Sequence, residues 1–330
     1  MRRLLGIIML AAAGTVVPAA AAAGTSPAAG APEFGVRLLD VPVSEAKDPR
    51  ALRYIIDYLR PGNVIRRRIL VLNDEAHVAQ FTVYADAAQI SQGHFIGDVG
   101  ETKSELTGWI TVQHPELTLG PESSRTDLIT ISEPRTATRG EHYGVIWVQQ
   151  TAIAHTGGVD INVVDRVGVR IYLAVGPGGM PPTTFAVTSV TGNRSAEGRP
   201  EIVARVSDTG RRAVDLDGSA RLTRGPGNIA AGPFNPSQTL TLAPGQAGDV
   251  IFLPGSEIPD GPWHATVDLV SGLTTGSGAA TVDFSGTAPA VPWNRRLPMV
   301  IAVTALVIGL VLLAGILLRR GQRRLGRARA

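Results

Sequence analysis

The chain has 330 residues, no cysteine and a formal net charge of +3 at neutral pH. The lack of cysteine excludes a disulfide framework and a thiol nucleophile, so hydrophobic cores have to stabilise the fold. The positive charge does not indicate nucleic-acid binding, because ten arginines lie in terminal segments that contain no acids; subtracting these ten charges from +3 leaves −7 for residues 31–294.

The N-terminus has the pattern of a secretory signal peptide. Two arginines precede an apolar stretch, and a run of alanines before Gly24 offers a small-residue cleavage site. We expect residues 1–23 to be a signal peptide, with an uncleaved membrane anchor as the alternative. Residues 24–32, rich in Ala, Gly, Pro and Ser, are expected to form a flexible leader.

Residues 33–177 are predicted to form a first β domain. Short runs of β-branched, aromatic and aliphatic residues alternate with turn residues, at a spacing typical of an antiparallel sandwich. Residues 86–105 are polar and are predicted to loop out of the sheet. The predicted strands are Phe34–Val43, Tyr54–Tyr58, Val64–Leu72, Val78–Ala85, Trp109–Val112, Glu116–Leu119, Asp127–Ile131, Tyr143–Gln149 and Val167–Val175.

A Gly/Pro linker at 178–182 separates this region from a second predicted β domain at 183–284. Its predicted strands are Phe185–Thr191, Glu201–Ser207, Ala213–Leu222, Gln238–Leu242, Val250–Leu253, Trp263–Val270 and Ala280–Phe284. The predicted fold class is an all-β ectodomain of two immunoglobulin-like (Ig-like) antiparallel β-sandwiches plus one C-terminal transmembrane helix.

The C-terminal part predicts membrane attachment. Residues 297–318 carry no charge and would span about 33 Å as a helix, enough to cross a bilayer. Residues 285–296 would be a stalk, and the basic tail at 319–330 would be cytoplasmic by the positive-inside rule. The sequence therefore predicts a single-pass cell-membrane protein at a bacterial cell surface, with its N-terminus and ectodomain extracellular.

The chain lacks recognisable catalytic and cofactor motifs. Glu101 with Glu105, and Asp215 with Asp217, are expected to be solvated surface charges, and the Asp215-x-Asp217-Gly218 pattern lacks the further ligands of a calcium loop. We predict no enzyme, no cofactor, no catalytic or metal-binding residue, and leave the ligand-binding residues unknown. The histidines are not paired at metal-ligand spacing; they are His77, His94, His114, His142, His155 and His264.

The four tryptophans are expected to have structural roles. Trp109, Trp147 and Trp263 each lie in an apolar strand-like run, which predicts packing in a sandwich core. Trp293 lies beside the predicted membrane boundary and is expected to be an interfacial anchor.

Several residue patterns together resemble a known family. They are Tyr54-x-x-Asp57-Tyr-Leu-x-Pro61-Gly62, Trp109-Ile-x-Val112 with Leu117-x-Leu119, and Arg139-Gly-Glu-His-Tyr-Gly-Val-Ile-Trp147. Residues 34–175 are similar to the first domain of the WxL-interacting protein family (domain of unknown function 916), which that family uses as a peptidoglycan-binding module. The resemblance implies a Gram-positive surface protein, and the richness in Ala, Gly and Arg suggests an actinobacterial member.

We therefore expect a non-enzymatic, membrane-anchored cell-surface binding or scaffold protein that contacts peptidoglycan, other surface proteins or both. The alternative is a structural ectodomain subunit of a membrane secretion or transport assembly, with the sandwiches as spacers. A surface hydrolase would need a convergent carboxylate or Ser/His cluster, which the sequence does not show. No nucleic-acid partner is expected.

Overall fold

The computed structural model describes residues 33–156 and 159–285, without the side chains of 153–156 and 159. The predicted signal peptide, leader, transmembrane helix at 297–318 and basic tail lie outside the described residues, as do Trp293 and the stalk beyond Ser285. Among the described residues, no helix is both long and apolar enough to cross a membrane.

The described chain is all-β, as predicted, with several sheets and a few short 3₁₀ helices. Ten strands precede residue 176: β1 Phe34–Leu38, β2 Ile55–Leu59, β3 Val64–Asn73, β4 Ala79–Ser91, β5 His94–Gly97, β6 Ile110–Val112, β7 Glu116–Leu119, β8 Ser123–Ser132, β9 Gly140–Thr156 and β10 Val159–Val175. The 3₁₀ helices of this part are Val43–Glu45, Pro49–Leu52 and Thr107–Trp109.

These strands form two sheets, which we call the N-terminal sheet pair. One sheet has the order β1-β3-β8-β6, and the other has the order β2-β10-β9-β4-β5 with β7 also paired to β4. Strand β2 runs parallel to β10, with Ile55 opposite Ile171 and Leu59 opposite Val175. This parallel pair differs from the predicted antiparallel arrangement, because hydrophobic spacing identifies strands but not their direction.

One hydrophobic core lies between the two sheets of this pair. Residues alternate between the two sides of a strand, so each strand turns every second side chain inward; in β8, Asp127, Ile129 and Ile131 are buried while Leu128 and Thr130 are half-buried. Both sheets contribute to the core, including Ile69, Val71, Ile129 and Ile131 from one sheet and Ile55, Phe81, Val148 and Ile171 from the other.

The second half of the chain also forms two sheets, the C-terminal sheet pair. Its strands are β11 Phe185–Arg194, β12 Pro200–Asp208, β13 Val214–Thr223, β14 Ala231–Phe234, β15 Leu240–Leu242, β16 Ala247–Phe252, β17 Pro262–Ser271 and β18 Thr274–Asp283, with a 3₁₀ helix at Pro226–Asn228. The sheet orders are β11-β12-β16 and β14-β13-β17-β18, and β15 pairs with β13.

The core of the C-terminal sheet pair surrounds Trp263, which is 1% exposed. Phe252 and Phe284 are fully buried in the same cluster. Residues 176–184 between the two sheet pairs carry no strand. The division into domains at 33–177 and 183–284, with a linker at 178–182, stays a prediction.

Residues 86–105 are more regular than the predicted loop. Strand β4 continues to Ser91 and pairs with β5 in a hairpin. Gln92 and Gly93 at its turn both have positive φ angles, 51° and 80°, as a two-residue turn of type I′ requires. The polar composition concealed this hairpin because its strands need few apolar side chains at the edge of a sheet.

Candidate functional site

Strands β9 and β10 form a hairpin that extends beyond the sheet to which both belong. They pair with each other from Val175 opposite Gly140 to Val159 opposite Thr156. Strand β4 pairs with β9 only as far as Gln149, and β2 pairs with β10 only from Ile171 onward. Residues 150–156 and 159–166 therefore form a two-stranded arm, about 24 Å long at 3.4 Å per residue.

One edge of the arm is open. Within the described residues, positions 159–170 of β10 pair only with β9. An open edge presents backbone N–H and C=O groups to a further strand, and proteins often block it with lysine, proline or a β-bulge. Residues 159–170 contain neither lysine nor proline, and their pairing with β9 shows no register shift. The edge therefore lacks these three devices, although it carries charged residues, among them Asp165 on the core-facing side.

The side of β10 that faces the core continues as an apolar row along the arm. Val169 is 2% exposed and belongs to the core of the N-terminal sheet pair. The same side carries Val167, Asp165, Val163 and Ile161 further out, because side chains alternate. Val163 and Ile161 are 37% and 48% exposed. This row is apolar except for Asp165, and it leaves the core and continues into solvent.

On the opposite side of β10, Trp147 packs over the inner end of the arm, where the arm leaves the sheet. The Trp147 ring covers Gly168, where an added Cβ would lie 2.6 Å from the ring atom Cε3. The Trp147 Nε1 donates a hydrogen bond of 2.9 Å to the Asp98 carbonyl oxygen, and the Arg166 guanidinium lies 6.0 Å from the ring centroid. Trp147 is therefore half-buried on the outer side of the sheet, outside the predicted core.

A buried polar cluster, which we call the junction, joins the two sheet pairs near the base of the hairpin. Arg50 is 8% exposed, and its Nη1 donates a 3.0 Å hydrogen bond to the Ala213 carbonyl oxygen. The Arg50 Nη2 donates a 3.1 Å bond to Asp48 Oδ2, and the Asp48 side chain is also buried. A charged pair of the N-terminal sheet pair is thus fixed to backbone of the C-terminal pair.

Asp215 belongs to the junction, which corrects its prediction as a solvated turn residue. It is 9% exposed, in strand β13. Its Oδ1 accepts hydrogen bonds from the Tyr172 hydroxyl at 3.0 Å and from the Thr241 hydroxyl at 2.8 Å. Asp217 is exposed, as expected. Local sequence could not show that the other sheet pair packs against Asp215.

The junction is also closely packed. Ile56, Ile90, Tyr172 and Ala213 form a small buried cluster across it. The Gly93 carbonyl oxygen accepts a 2.8 Å hydrogen bond from the Thr241 amide. An added Cβ at Gly93 would lie 2.4 Å from Leu240 Cδ1. This packing holds the base of the hairpin against the C-terminal sheet pair.

Glu141 is the titratable group of the junction with the clearest pH consequence. Its Oε2 accepts hydrogen bonds from the Ala213 amide at 2.6 Å and from the Tyr143 hydroxyl at 2.8 Å. Burial raises the pKa of the Glu141 carboxyl to about 7, although those two donors and the Arg212 and Arg50 charges act in the opposite direction.

We expect the Glu141 contribution to stability to be complete below about pH 4.5 and to be lost as the pH rises through 7. The folded state binds more protons than the unfolded state in that window, so stability falls with pH, by at most about 1.4 kcal/mol per unit for one proton. Urea denaturation of the native chain and of Glu141→Gln, across this window, measures the effect. The difference between the free energies of unfolding of the two proteins should change with pH. A difference that is constant with pH would contradict the assignment of the raised pKa to Glu141.

Two cavities lie near the junction. One, of about 430 Å³, is lined by Tyr58, Arg139, Met180 and Arg211 among others. The second, of about 250 Å³, is lined by Arg53, Tyr54 and Asp217 with parts of the junction. Neither set of lining residues contains a histidine, serine or cysteine that could act as a nucleophile or its base.

The described histidines have separate surroundings. His77 lies 2.8 Å from Glu75, and His114 lies 2.8 Å from Asp127. His142 packs edge-on against the Trp109 ring. No group of three or more metal-ligating side chains is placed to hold an ion among residues 33–156 and 159–285, as far as their side chains are described.

The comparisons with known proteins bear on the fold. No protein-family model matches the sequence, and no curated protein matches it. The solved structures that match include the Salmonella enterica chaperone SafB in complex with the SafA pilin, at 12% identity and a TM-score of 0.39, covering 77% of this chain and 97% of that one.

Two further matches are also chaperones. The E. coli chaperone DraB has 12% identity and a TM-score of 0.37, covering 76% of this chain and 96% of its own. The Pseudomonas aeruginosa CupB2 chaperone has 9% identity and a TM-score of 0.37, covering 70% and 97%. At these identities and scores, the likeness concerns the fold alone.

The comparisons correct the predicted function and localisation. The prediction of a membrane-anchored cell-surface binding or scaffold protein that contacts peptidoglycan is corrected: the solved structures that match are of chaperones, one of them described as periplasmic. The same correction applies to the alternative of a structural ectodomain subunit, to the single-pass membrane localisation and to the cell-wall assignment. Those predictions rested on the hydropathy of the terminal segments and on short turn motifs, neither of which determines what the sheets of residues 33–285 bind.

The arm itself was missed at the level of sequence. The predicted strands ended at Gln149 and resumed at Val167, whereas β9 continues to Thr156 and β10 begins at Val159. Two signals pointed to it: the Gly157-Gly158 pair between the strands, and Ile161 and Val163 in alternation. The charged and polar residues of this stretch obscured the alternation of its apolar side chains.

Proposed function

We propose that this chain is a non-enzymatic protein-binding module that holds an extended segment of another protein by strand addition to β10. The open edge at 159–170, next to an exposed apolar row, is the observation that carries the proposal. Main-chain hydrogen bonds supply affinity in this binding mode, and alternate side chains supply specificity.

The arm favours a partner segment with alternating apolar and polar residues. Its apolar side chains would pack beside Ile161, Val163 and Val167, on the side that continues the core. Its polar side chains would lie beside Asn162 and Arg166 on the other side of β10, which also carries the apolar Val164. A segment without alternation would expose its apolar side chains or bury its polar ones.

The junction supports the proposal by positioning the arm. Glu141 and the bond from Tyr172 to Asp215 connect the base of the hairpin to the C-terminal sheet pair, and Arg50 connects the 3₁₀ helix Pro49–Leu52 to it. A binding edge held by a packed base loses less conformational entropy on binding than one on a mobile loop. We also propose that each sheet pair is an Ig-like sandwich, since each encloses one core between two sheets. Membership of the WxL-interacting protein family stays a prediction.

Peptide selection tests the proposal. Displayed random peptides of about 12 residues, the length of the open edge, are selected on the full-length chain. We expect enriched peptides to alternate apolar and polar residues and to slow amide exchange at 159–170. Val163→Arg should weaken their binding at least about tenfold, or about 1.4 kcal/mol. Thr151→Arg, on the exposed opposite side of β9, is the matched control.

Two results would oppose the proposal. One is peptide binding that protects amides elsewhere and leaves 159–170 unchanged. The other is an equal loss of binding in Val163→Arg and Thr151→Arg, which would indicate a general charge effect rather than contact with the apolar row.

A further inference from the structure

One charged residue interrupts the apolar row beside the open edge. Asp165 lies on the core-facing side of β10, between Val163 and Val167, because side chains alternate along a strand. Val167 packs against the core, and Val163 is 37% exposed. Asp165 itself is exposed, and it lies opposite Gln150 of β9. The row that a bound strand would cover therefore carries one carboxylate among its valines.

The Asp165 carboxylate has no counter-charge in the part of the chain whose side chains are described. Its side chain forms no ion pair or hydrogen bond there. The basic residues nearest to it along β10 lie on the other side of the strand. Arg166 lies over the Trp147 ring, and Arg170 lies 3.5 Å from Asp215 Oδ1. The Asp165 carboxylate therefore depends on solvent for its stabilisation.

Strand addition would remove part of that solvent. A strand on the open edge places its own side chains directly opposite the row, with Cβ atoms about 5 Å apart. An apolar side chain opposite Asp165 would displace water from the carboxylate and form no bond in return, which costs free energy. Proteins use such inward-facing charges to keep other strands from the edges of their sheets. A segment with only apolar residues along this row would therefore bind weakly.

A lysine or arginine opposite Asp165 would reverse this effect. Its ammonium or guanidinium group would pair with the carboxylate, and opposite charges in cross-strand positions stabilise a sheet. The aliphatic stem of the same side chain would pack along Val163 and Val167, as long basic side chains do on apolar surfaces. A serine or asparagine could form a hydrogen bond but would leave the charge without a counter-charge. Selection would thus combine attraction of one class of segment with exclusion of others.

We propose that Asp165 selects the partner of the open edge. The selected partner is an extended segment in which one lysine or arginine occupies a place in the apolar row, with apolar residues two positions before it and two positions after it. This inference rests on the proposed function, since it concerns the strand that is added to β10. It adds the charge of the partner and the residue of the partner that lies opposite Asp165.

Displayed peptides of about 12 residues test this selectivity. Apolar and polar residues alternate in every peptide; one library randomises a central apolar position, and a second library randomises a polar position instead. Both are selected on the full-length native chain and on Asp165→Lys, Asp165→Asn and Asp268→Lys. Asp268 is exposed on β17 of the C-terminal sheet pair. Its replacement by lysine therefore changes the net charge by the same amount outside β10.

On the native chain, we expect lysine and arginine at the central apolar position to be enriched at least about fivefold over aspartate and glutamate. Asp165→Lys should reverse this preference, Asp165→Asn should replace it by a preference for apolar residues, and Asp268→Lys should leave it unchanged. The library that is randomised at a polar position should show no dependence on Asp165, because that position lies on the other side of the sheet.

Three results would each overturn the selectivity: an apolar residue preferred at the central position on the native chain, the same basic preference on Asp165→Lys, or a reversed preference on Asp268→Lys. All three are scored on peptides that slow amide exchange at 159–170, so they leave the proposed function standing. If no peptide slows exchange at 159–170, either in the native chain or in Asp165→Asn, the proposed function fails and the selectivity fails with it.

Discussion

Replacing Arg50 by methionine is expected to lower the free energy of unfolding by about 3 to 5 kcal/mol, because it removes one partner of a buried ion pair. Asp48 would keep its buried charge without the guanidinium that now lies 3.1 Å away. Asp215 Oδ2 lies 3.7 Å from the same guanidinium, so the Asp215 carboxylate would keep only the Arg170 guanidinium, which lies 3.5 Å from its Oδ1. The Ala213 carbonyl oxygen would lose a hydrogen bond as well.

Chemical denaturation of Arg50→Met and Arg53→Met measures this prediction. Arg53 follows the same 3₁₀ helix but is exposed, so its replacement should change stability by less than about 0.5 kcal/mol. A loss at Arg50 no larger than the loss at Arg53 would show that the junction does not contribute to folding. Amide exchange should also increase at Ala213 and Thr241 in Arg50→Met.

Replacing Trp263 by alanine is expected to destabilise the chain by about 3 to 5 kcal/mol, the range for large aromatic residues removed from cores. Trp263 is 1% exposed. Gly225 lies against its ring so closely that an added Cβ would be 2.3 Å from Cζ3. The surrounding backbone has little freedom to close the resulting cavity, which places the cost in the upper part of the range.

The control for Trp263 separates packing from hydrogen bonding. The indole Nε1 donates a 3.1 Å bond to the Pro259 carbonyl oxygen. Trp263→Phe keeps most of the buried apolar volume and removes this bond, so it should recover the larger part of the lost stability; the bond itself contributes about 1 kcal/mol. Equal losses in the two variants would indicate that the hydrogen bond, and not the filled volume, dominates.

Trp147 shows why residue type and local pattern predicted some positions and not others. Trp109 and Trp263 lie in apolar surroundings and are buried in cores, as predicted. Trp147 has a similar local sequence but faces the outer side of its sheet, over Gly168 and beside Arg166. Which side of a strand faces the core depends on its register against neighbouring strands, and Gly168 is distant in sequence.

The dependence on distant strands also explains why the proposed function differs from the function predicted from the sequence. Terminal hydropathy and short turn motifs indicated a membrane-anchored wall protein, whereas the proposed function rests on the open edge of β10. The open edge of β10 instead emerges from the unequal lengths of four neighbouring strands, β2, β10, β9 and β4. No single segment of the chain encodes such a difference in length.

The sequence by itself determined the all-β class and most strand positions, because side-chain alternation and turn residues are local properties. It also excluded disulfides. Only the tertiary structure decided that Asp215 is buried, that Glu141 bonds to the Ala213 amide of the other sheet pair, and that β9 and β10 extend beyond the sheet. Each of these depends on which distant strands lie side by side, and short-range periodicity does not specify such contacts.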